Sequence, residues 1–352
     1  MAETSVDRAG TAGQQGYQRR WDTGKRGGGR SAADQSQNSY YGIPAIHKPH
    51  WRWLVSVYFW LGGIAGGSYV IASIADLVGG NGGRRITRAG RYLSLLALLP
   101  CPPLLILDLG RPERFYYMMR VVKLRSPMSV GVWGLLGFSG FCGLSALIQA
   151  AHDGWLGQDT VPPRLLRALP ARLIGLLGLG PSFFLSSYTG VLLAATAVPL
   201  WTRSYLLLGP LFLTSGLSNA AAAIALALSP TRGAATSLRR LERLHRVTLA
   251  AELALLVAMR RHLGSTLARP LDTGRLGLLH RGGVLGGGLA LPLAIELASG
   301  SASRPASAAA SALVLVGGLL LRYVIVMAGR ASADDPAATF ELARGLTTQT
   351  SV

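Results

Sequence analysis

Charged residues and metal-binding side chains are scarce in this sequence. Only 14% of its 352 residues are Asp, Glu, Lys or Arg, whereas a soluble domain carries about 25%. There are two cysteines, Cys101 and Cys142, and both lie inside apolar stretches without a C-x-x-C pattern. Two such residues cannot assemble an iron–sulfur cluster or a zinc site by themselves. We therefore interpret both as small buried hydrophobic residues.

The six histidines are badly placed for a bis-histidine haem. Three of them, His47, His50 and His152, lie outside the apolar stretches. The other three, His245, His262 and His280, lie at the ends of these stretches. His245 and His262 share one predicted helix and would be ~25 Å apart along it, too far to ligate one iron. The sequence therefore predicts that this chain binds no haem and no metal.

Acidic residues are the rarer of the charged types, with 16 Asp and Glu against 35 Lys and Arg, a net charge of +19. In a soluble protein this excess would suggest nucleic acid as the partner. Here the cations lie in an N-terminal tail and in the segments between apolar stretches. They are therefore expected to control membrane topology and to contact anionic lipid, not nucleic acid.

Apolar stretches dominate the sequence, and half of all residues are hydrophobic. A helix needs about 20 mostly apolar residues to cross a bilayer. The stretches do not alternate between apolar and polar residues, so they are not the strands of a membrane barrel. We predict an all-α polytopic protein of the cell membrane with eight transmembrane helices, which can divide into two four-helix bundles. The predicted spans are 53–78, 91–109, 129–151, 172–200, 203–229, 244–263, 276–299 and 306–329. The connectors predicted between them include Asn81 to Arg91 and Arg260 to Arg275.

Polar segments flank this transmembrane domain, which we assign to residues 51–330. Residues 1–50 are predicted to be a disordered basic tail and 331–352 a polar tail. The N-terminal tail has no apolar run after its cations, so it is not a signal peptide, and Arg19-Arg20 is not followed by a twin-arginine signal. An even number of spans puts both termini on one side, and the Lys and Arg residues of the tails predict that this side is cytoplasmic.

Ionisable residues inside the predicted spans are candidates for function, because charge is costly in a membrane. They are Asp76, Asp108, Glu252, Glu296 and Arg322. Glu252 is the deepest carboxylate and is predicted to bind and release a proton. An alternative is that Glu252 makes a structural hydrogen bond or an ion pair with Arg322. For Glu296 the structural interpretation is preferred.

Several motifs between residues 40 and 220 resemble the NrfD-like, or polysulfide reductase, family of membrane subunits. The segment from Trp51 to Asp76, with Tyr58-Phe59-Trp60-Leu61-Gly62-Gly63, is similar to the first helix of that family. Leu107-Asp108-Leu109-Gly110-Arg111-Pro112 is the most specific motif and resembles the loop after its second helix. Two further motifs, at Ser126 to Trp133 and Ser187 to Leu193, resemble the start of its third helix and its fourth helix.

This resemblance implies an integral subunit of a respiratory oxidoreductase complex that has no redox centre of its own. It would anchor a molybdopterin (or tungstopterin) catalytic subunit through a four-cluster-type iron–sulfur subunit and exchange electrons with membrane quinone, either menaquinone or ubiquinone. The quinone-binding role falls on Tyr188 and on His47 or His50, which share one short segment. Asp76 and Asp108 become proton-handling residues.

The side of the membrane where the partner docks can also be predicted. The first span leaves the side of the pre-helix segment and the second returns to it, so the basic loop after Asp108 should lie on the same face. Arg111 and Arg114 are the docking candidates in this loop. The alternative for these cations is contact with lipid headgroups.

Two other classes of function remain open. A secondary transporter would also have many helices and intramembrane carboxylates, and Pro199 and Pro210 are candidate helix breaks, although no matching pair occurs in the other half. A purely structural anchor without a quinone site is the third alternative.

Overall fold

The computed structural model describes residues 46, 49–157, 161–299 and 304–341, and within these ranges the chain is helical with no strand. Most of the two predicted tails, residues 1–45 and 342–352, therefore lies outside the described residues. A 3₁₀ turn lies at Pro112–Arg114 and a π-helix at Leu279–Ala290. In chain order, the α-helices are α1 Trp53–Val78, α2 Gly80–Leu98, α3 Cys101–Asp108, α4 Tyr117–Arg120, α5 Pro127–His152, α6 Val161–Ala168, α7 Ala171–Leu177, α8 Leu179–Ala194, α9 Pro199–Arg203, α10 Tyr205–Leu228, α11 Ala235–Asp272, α12 Gly274–Leu278, α13 Leu291–Ser299 and α14 Arg304–Ala333.

Seven helical segments within the described residues are long and apolar enough to cross a membrane. They are Trp53–Val78, Gly82–Asp108, Pro127–His152, Ala171–Ala194, Tyr205–Leu228, Gly274–Ala298 and Pro305–Ala333. These seven match seven of the predicted spans. The remaining one, 244–263, lies within the 38-residue helix α11, which carries too many charged side chains to be among the seven. The protein is thus a multi-pass helical membrane protein, and the count of eight spans stays a prediction.

In the predicted connectors Asn81 to Arg91 and Arg260 to Arg275, the chain is largely helical. Helix α2 already starts at Gly80. Its polar first half makes two ion pairs, from Arg88 to Asp153, just after α5, at 2.8 Å and from Arg91 to Asp76 in α1 at 2.9 Å. Helix α11 continues through the second predicted connector to Asp272, with a kink where Gly264 has a φ of +70°. The hydropathy of the sequence does not reveal either helical segment, because both contain several arginines.

The long helices pack as two groups of four. In the first group, α1, α2–α3, α5 and α7–α8 each contact the next and close into a ring. In the second, α10, α11, α12–α13 with its π-helix, and α14 do the same. The groups meet where α1 and α8 pack on α10. Helix α1 approaches α10 closely because Gly63 and Gly67 face Gly216, and a Cβ atom at Gly67 would collide with the Gly216 carbonyl.

Both ends of the described helical domain lie at one end of the molecule. The Arg330 guanidinium, near the end of α14, donates to the Trp51 carbonyl just before α1, at 2.9 Å. The Trp51 ring also stacks on Trp201, with 5.8 Å between ring centroids. We call this the Trp51 end. The opposite end, where α1 finishes near Asp76, is called the Asp76 end.

Candidate functional site

An apolar cavity of about 420 Å³ lies at the Trp51 end of the first helical group. It is bounded by the start of α1, the end of α3, the segment after α3, the first half of α5 and α8. Its volume falls within the range of about 300–1,000 Å³ that is usual for small-molecule sites. Most of its wall is aliphatic, aromatic or methionine, including Val55, Phe59, Leu105, Met119, Leu135 and Leu192.

Four titratable side chains line the cavity, and each comes from a different element. They are His50 before α1, Tyr58 in α1, Asp108 at the end of α3 and Tyr188 in α8. An apolar space with a few polar groups is the usual design of a site for a largely apolar ligand. The structure therefore brings together three of the predicted site residues, and it adds Tyr58.

Tyr188 is held firmly by its neighbours. Its ring is buried and stacks on Phe184 with centroids 4.8 Å apart. Its hydroxyl donates to the carbonyl of Pro127, the first residue of α5. Helix α5 can come this close because residue 131 is glycine: a Cβ there would lie 2.5 Å from Cε1 of the Tyr188 ring. The position of Tyr188 is thus fixed, but its hydroxyl proton is engaged by the protein.

Tyr58 is the functional candidate that sequence reasoning missed. It is 4% exposed and lines the cavity, and among the described residues its hydroxyl has no hydrogen-bond partner. A buried tyrosine hydroxyl normally finds one. The available signal was its position eight residues after His50, about one and a half turns into α1. Many aromatic residues near a membrane edge are simple anchors, so this signal is not specific.

His50 and Asp108 lie together at the edge of the cavity. His50 is exposed and belongs to a non-helical stretch just before α1, whereas Asp108 is half-buried. His50 and Arg52 are the cationic groups that interact electrostatically with the Asp108 carboxyl. His47, the alternative to His50, lies outside the described residues. An imidazole and a carboxyl at one site can bind and release protons near neutral pH.

Two other predicted residues are not part of this cavity. Asp76 lies 23 residues after Trp53 along α1, a rise of about 35 Å, and is paired with Arg91. Glu252 is buried within the second helical group. It lies near Ser215 and in the field of Arg322, and both proton binding and a structural role stay predictions for Glu252.

The segment between α3 and α5 covers the cavity. Phe115, Met118 and Met119 contribute to its wall, so this segment and His50 lie at the same end of the molecule. We call residues 109–126 the docking loop. Arg111 and Arg114 are exposed in it, and neither makes an ion pair with a described residue.

These features define a class: a multi-pass helical membrane protein with an apolar cavity at one membrane edge, beneath a basic loop. The chain matches the family described as "Polysulphide reductase, NrfD" over residues 44–333, and it belongs to that family. It is also similar to the C subunit of the polysulfide reductase of Wolinella succinogenes, with 28% identity over 301 residues. This alignment covers 80% of the present protein and 94% of that relative.

Proposed function

We propose that this chain is the quinone-reactive membrane subunit of an oxidoreductase complex. It anchors an iron–sulfur subunit, of the four-cluster type, and a molybdopterin or tungstopterin catalytic subunit to the cell membrane. Membership of the family supports the membrane-subunit role. The observation that carries the quinone role is the apolar cavity with Tyr58, Tyr188, His50 and Asp108 on its walls.

The cavity suits a quinone in size and chemistry. A quinone is a flat apolar ring with two carbonyl oxygens, and it reaches its site from within the bilayer. The aliphatic wall accepts the ring, and the tyrosine hydroxyls and His50 can donate hydrogen bonds to the oxygens. The Met118 and Met119 side chains are flexible enough to adapt to the ligand.

Each residue has a defined task in this proposal. Reduction of a quinone consumes two electrons and two protons, and a proton donor must lie within ~2.6–3.2 Å of the oxygen that it protonates. Tyr58, with its free hydroxyl, is the first donor to a quinone oxygen. Tyr188 positions the ring and donates only if its bond to Pro127 exchanges. His50 and Asp108, near the surface, deliver replacement protons from water.

Electrons come from the docked partner in this proposal, which explains why the cavity lies under the docking loop. Three consecutive exposed aromatic residues, Phe115, Tyr116 and Tyr117, lie between the exposed cations Arg114 and Arg120 of the loop. Arginine and aromatic residues are enriched at protein interfaces. We propose that the loop binds an acidic surface of the iron–sulfur subunit, close to a cluster.

Reversal of the docking charges tests the partner surface. Arg111→Glu with Arg114→Glu should release the iron–sulfur and catalytic subunits during purification in mild detergent, while the membrane subunit still inserts. The matched control is Arg164→Glu, an exposed cation in α6 at the Asp76 end. If the double variant retains its partners as the control does, this face is a lipid contact and not a docking surface.

Two substitutions test the quinone site itself. His50→Ala and Tyr188→Phe should slow quinone-linked turnover of the complex and leave turnover with a soluble dye unchanged, since the dye bypasses the membrane subunit. If both variants keep normal quinone-linked turnover, the protein is a structural anchor without a quinone site. The transporter alternative gains no support from Pro210, because α10 runs unbroken past it from Tyr205 to Leu228.

We also propose that α11 is the eighth span, with residues 244–263 in the membrane. It packs against α10 and α14 within the second helical group. Its first turns donate hydrogen bonds near the Asp76 end, from Ser237 to the Gly82 carbonyl at 2.8 Å. Its buried polar side chains face the helical group and not lipid, as His245 and Glu252 do, which makes their charge tolerable.

A further inference from the structure

Three acid–base side chains converge in the second helical group, towards the Asp76 end and away from the quinone cavity. Nδ1 of His245 in α11 lies 2.5 Å from a carboxylate oxygen of Glu296 in α13, and both side chains are buried. Glu242, nearly one turn before His245, is half-buried. Its carboxylate accepts a hydrogen bond from Ser307 at 3.5 Å and lies in the field of Glu296.

The central pair of this cluster is not saturated with hydrogen bonds. Nε2 of His245 and the second carboxylate oxygen of Glu296 are buried, and neither has a hydrogen-bond partner among the described residues. A purely structural pair in an apolar setting would leave two costly orphan atoms. A pair that passes a proton needs a free position on each partner, one to receive the proton and one to release it.

Glu252 extends this arrangement towards the middle of the molecule. It follows His245 by seven residues, so it lies on the same helix face about 10 Å deeper. Thr248, which is also buried, lies between them, and its hydroxyl donates a hydrogen bond to the His245 carbonyl at 2.9 Å. Glu252 in turn lies near Ser215, whose hydroxyl accepts a hydrogen bond from the Arg322 guanidinium at 2.6 Å.

An aromatic pair separates this polar network from the quinone cavity. Arg322 lies over the Phe212 ring, 5.4 Å from its centroid. The Phe212 ring contacts Phe59, with centroids 6.0 Å apart, and Phe59 belongs to the cavity wall. The network therefore ends at two buried rings that have no group able to carry a proton.

We propose that Glu242, Glu296, His245 and Glu252 form a proton-exchange route that opens on the membrane face at the Asp76 end and stops at Glu252. A proton from water binds Glu242, passes to the Glu296–His245 pair and reaches Glu252, and it returns by the same groups. This role goes beyond the quinone site, whose protons enter at the Trp51 end.

The charged groups around the route suit such a role. Arg239 and Arg246 are the cations whose charges act on the Glu242 carboxylate near the surface. Arg322 faces Glu252 from α14, and His245 acts on it from its own helix. One net proton on Glu252 therefore changes the charge of the Glu252–Arg322 pair from neutral to positive.

Hydrogen–deuterium exchange of the buried carboxyl tests the route. The probe is D₂O, applied to the full-length protein in lipid nanodiscs at acidic pH, where Glu252 carries its proton, and the readout is the infrared band of protonated carboxyl groups. Glu252→Gln should remove the slowly exchanging band. His245→Gln should slow its exchange by about 10²-fold, the scale of a lost positioned acid–base group. The control is Glu113→Gln in the exposed docking loop, which should change neither observation.

Three results would overturn the proposal. The first is that Glu252→Gln removes no band, and the second is that His245→Gln leaves the exchange rate unchanged. The third is that His50→Ala slows the exchange, because the proton would then enter through the cavity. If His245→Gln does not fold, Glu242→Gln replaces it, since this half-buried residue accepts only the Ser307 hydrogen bond among the described residues, and the same slowing is expected.

Discussion

Tyr58→Phe is the sharpest single test of the proposed quinone site. The substitution removes one hydroxyl and keeps the ring that packs beside Phe59, at a centroid distance of 5.6 Å. Because this hydroxyl has no partner among the described residues, no protein hydrogen bond is lost. The free energy of unfolding should therefore stay within about 0.5 kcal/mol of the parent protein. Any larger change in turnover must then come from the ligand.

The expected size of that change follows from one hydrogen bond. A neutral hydrogen bond contributes about 1 kcal/mol net, and since 1.4 kcal/mol is tenfold, the loss corresponds to about fivefold. If Tyr58 donates to the quinone equally in the bound and transition states, KM for the quinone rises by this factor. If it donates more strongly as the oxygen gains negative charge, kcat falls as well.

The assay compares quinone-linked and dye-linked turnover of the intact complex in membranes. Tyr58→Phe should lower kcat/KM for the quinone about fivefold and leave the dye-linked rate unchanged. Tyr205→Phe is the matched control, because Tyr205 is 59% exposed at the start of α10 and does not line the cavity. Equal kcat/KM values for the two variants would refute the assignment of Tyr58 to the ligand.

Three further predictions concern stability and topology. Gly131→Ala puts a Cβ 2.5 Å from the Tyr188 ring and should cost about 1–3 kcal/mol, seen as a lower Tm in detergent. Gly137→Ala, in open space on the same helix, should leave the Tm unchanged. Equal Tm values for the Gly131→Ala and Gly137→Ala variants would contradict this packing. Arg322→Met leaves the Glu252 carboxylate buried without its cation and should lower the free energy of unfolding by about 3–5 kcal/mol. The double variant with Glu252→Gln should regain much of this stability. A double variant that is no more stable than Arg322→Met would exclude coupling between the two residues. A reporter protein fused to either terminus should show cytoplasmic activity, and an external signal at both would reverse the predicted orientation.

Local sequence features were sufficient for most of the membrane helices. Segments such as Pro127–His152 are long and apolar enough that backbone hydrogen bonding leaves no alternative to a helix in lipid. They were insufficient where charge interrupts a helix. Helix α2 begins about ten residues before its predicted span, since Arg88 and Arg91 find acidic partners outside α2. Such pairing is a tertiary contact, which hydropathy cannot contain.

The site was predictable only in part for a similar reason. Asp76 and Asp108 both end apolar helices and look alike in the sequence, yet Asp76 is paired with Arg91 and Asp108 lines the cavity. Tyr58 and Tyr69 are both buried in α1, but the Tyr69 hydroxyl is bonded to Ser145 at 3.0 Å. Only the neighbours from other helices distinguish the members of each pair.

The amino-acid sequence by itself determined that this protein is helical, polytopic and embedded in a membrane, and its motifs indicated the family. These properties depend on the hydropathy and spacing of residues that are close in the chain. The tertiary structure decided which polar groups share a space: His50, Tyr58, Asp108 and Tyr188 come from four elements and meet at one cavity. It also brought Glu296 to His245, 51 residues away in the chain. Their convergence depends on how helices cross and how closely glycines let them approach, and no local pattern encodes this geometry.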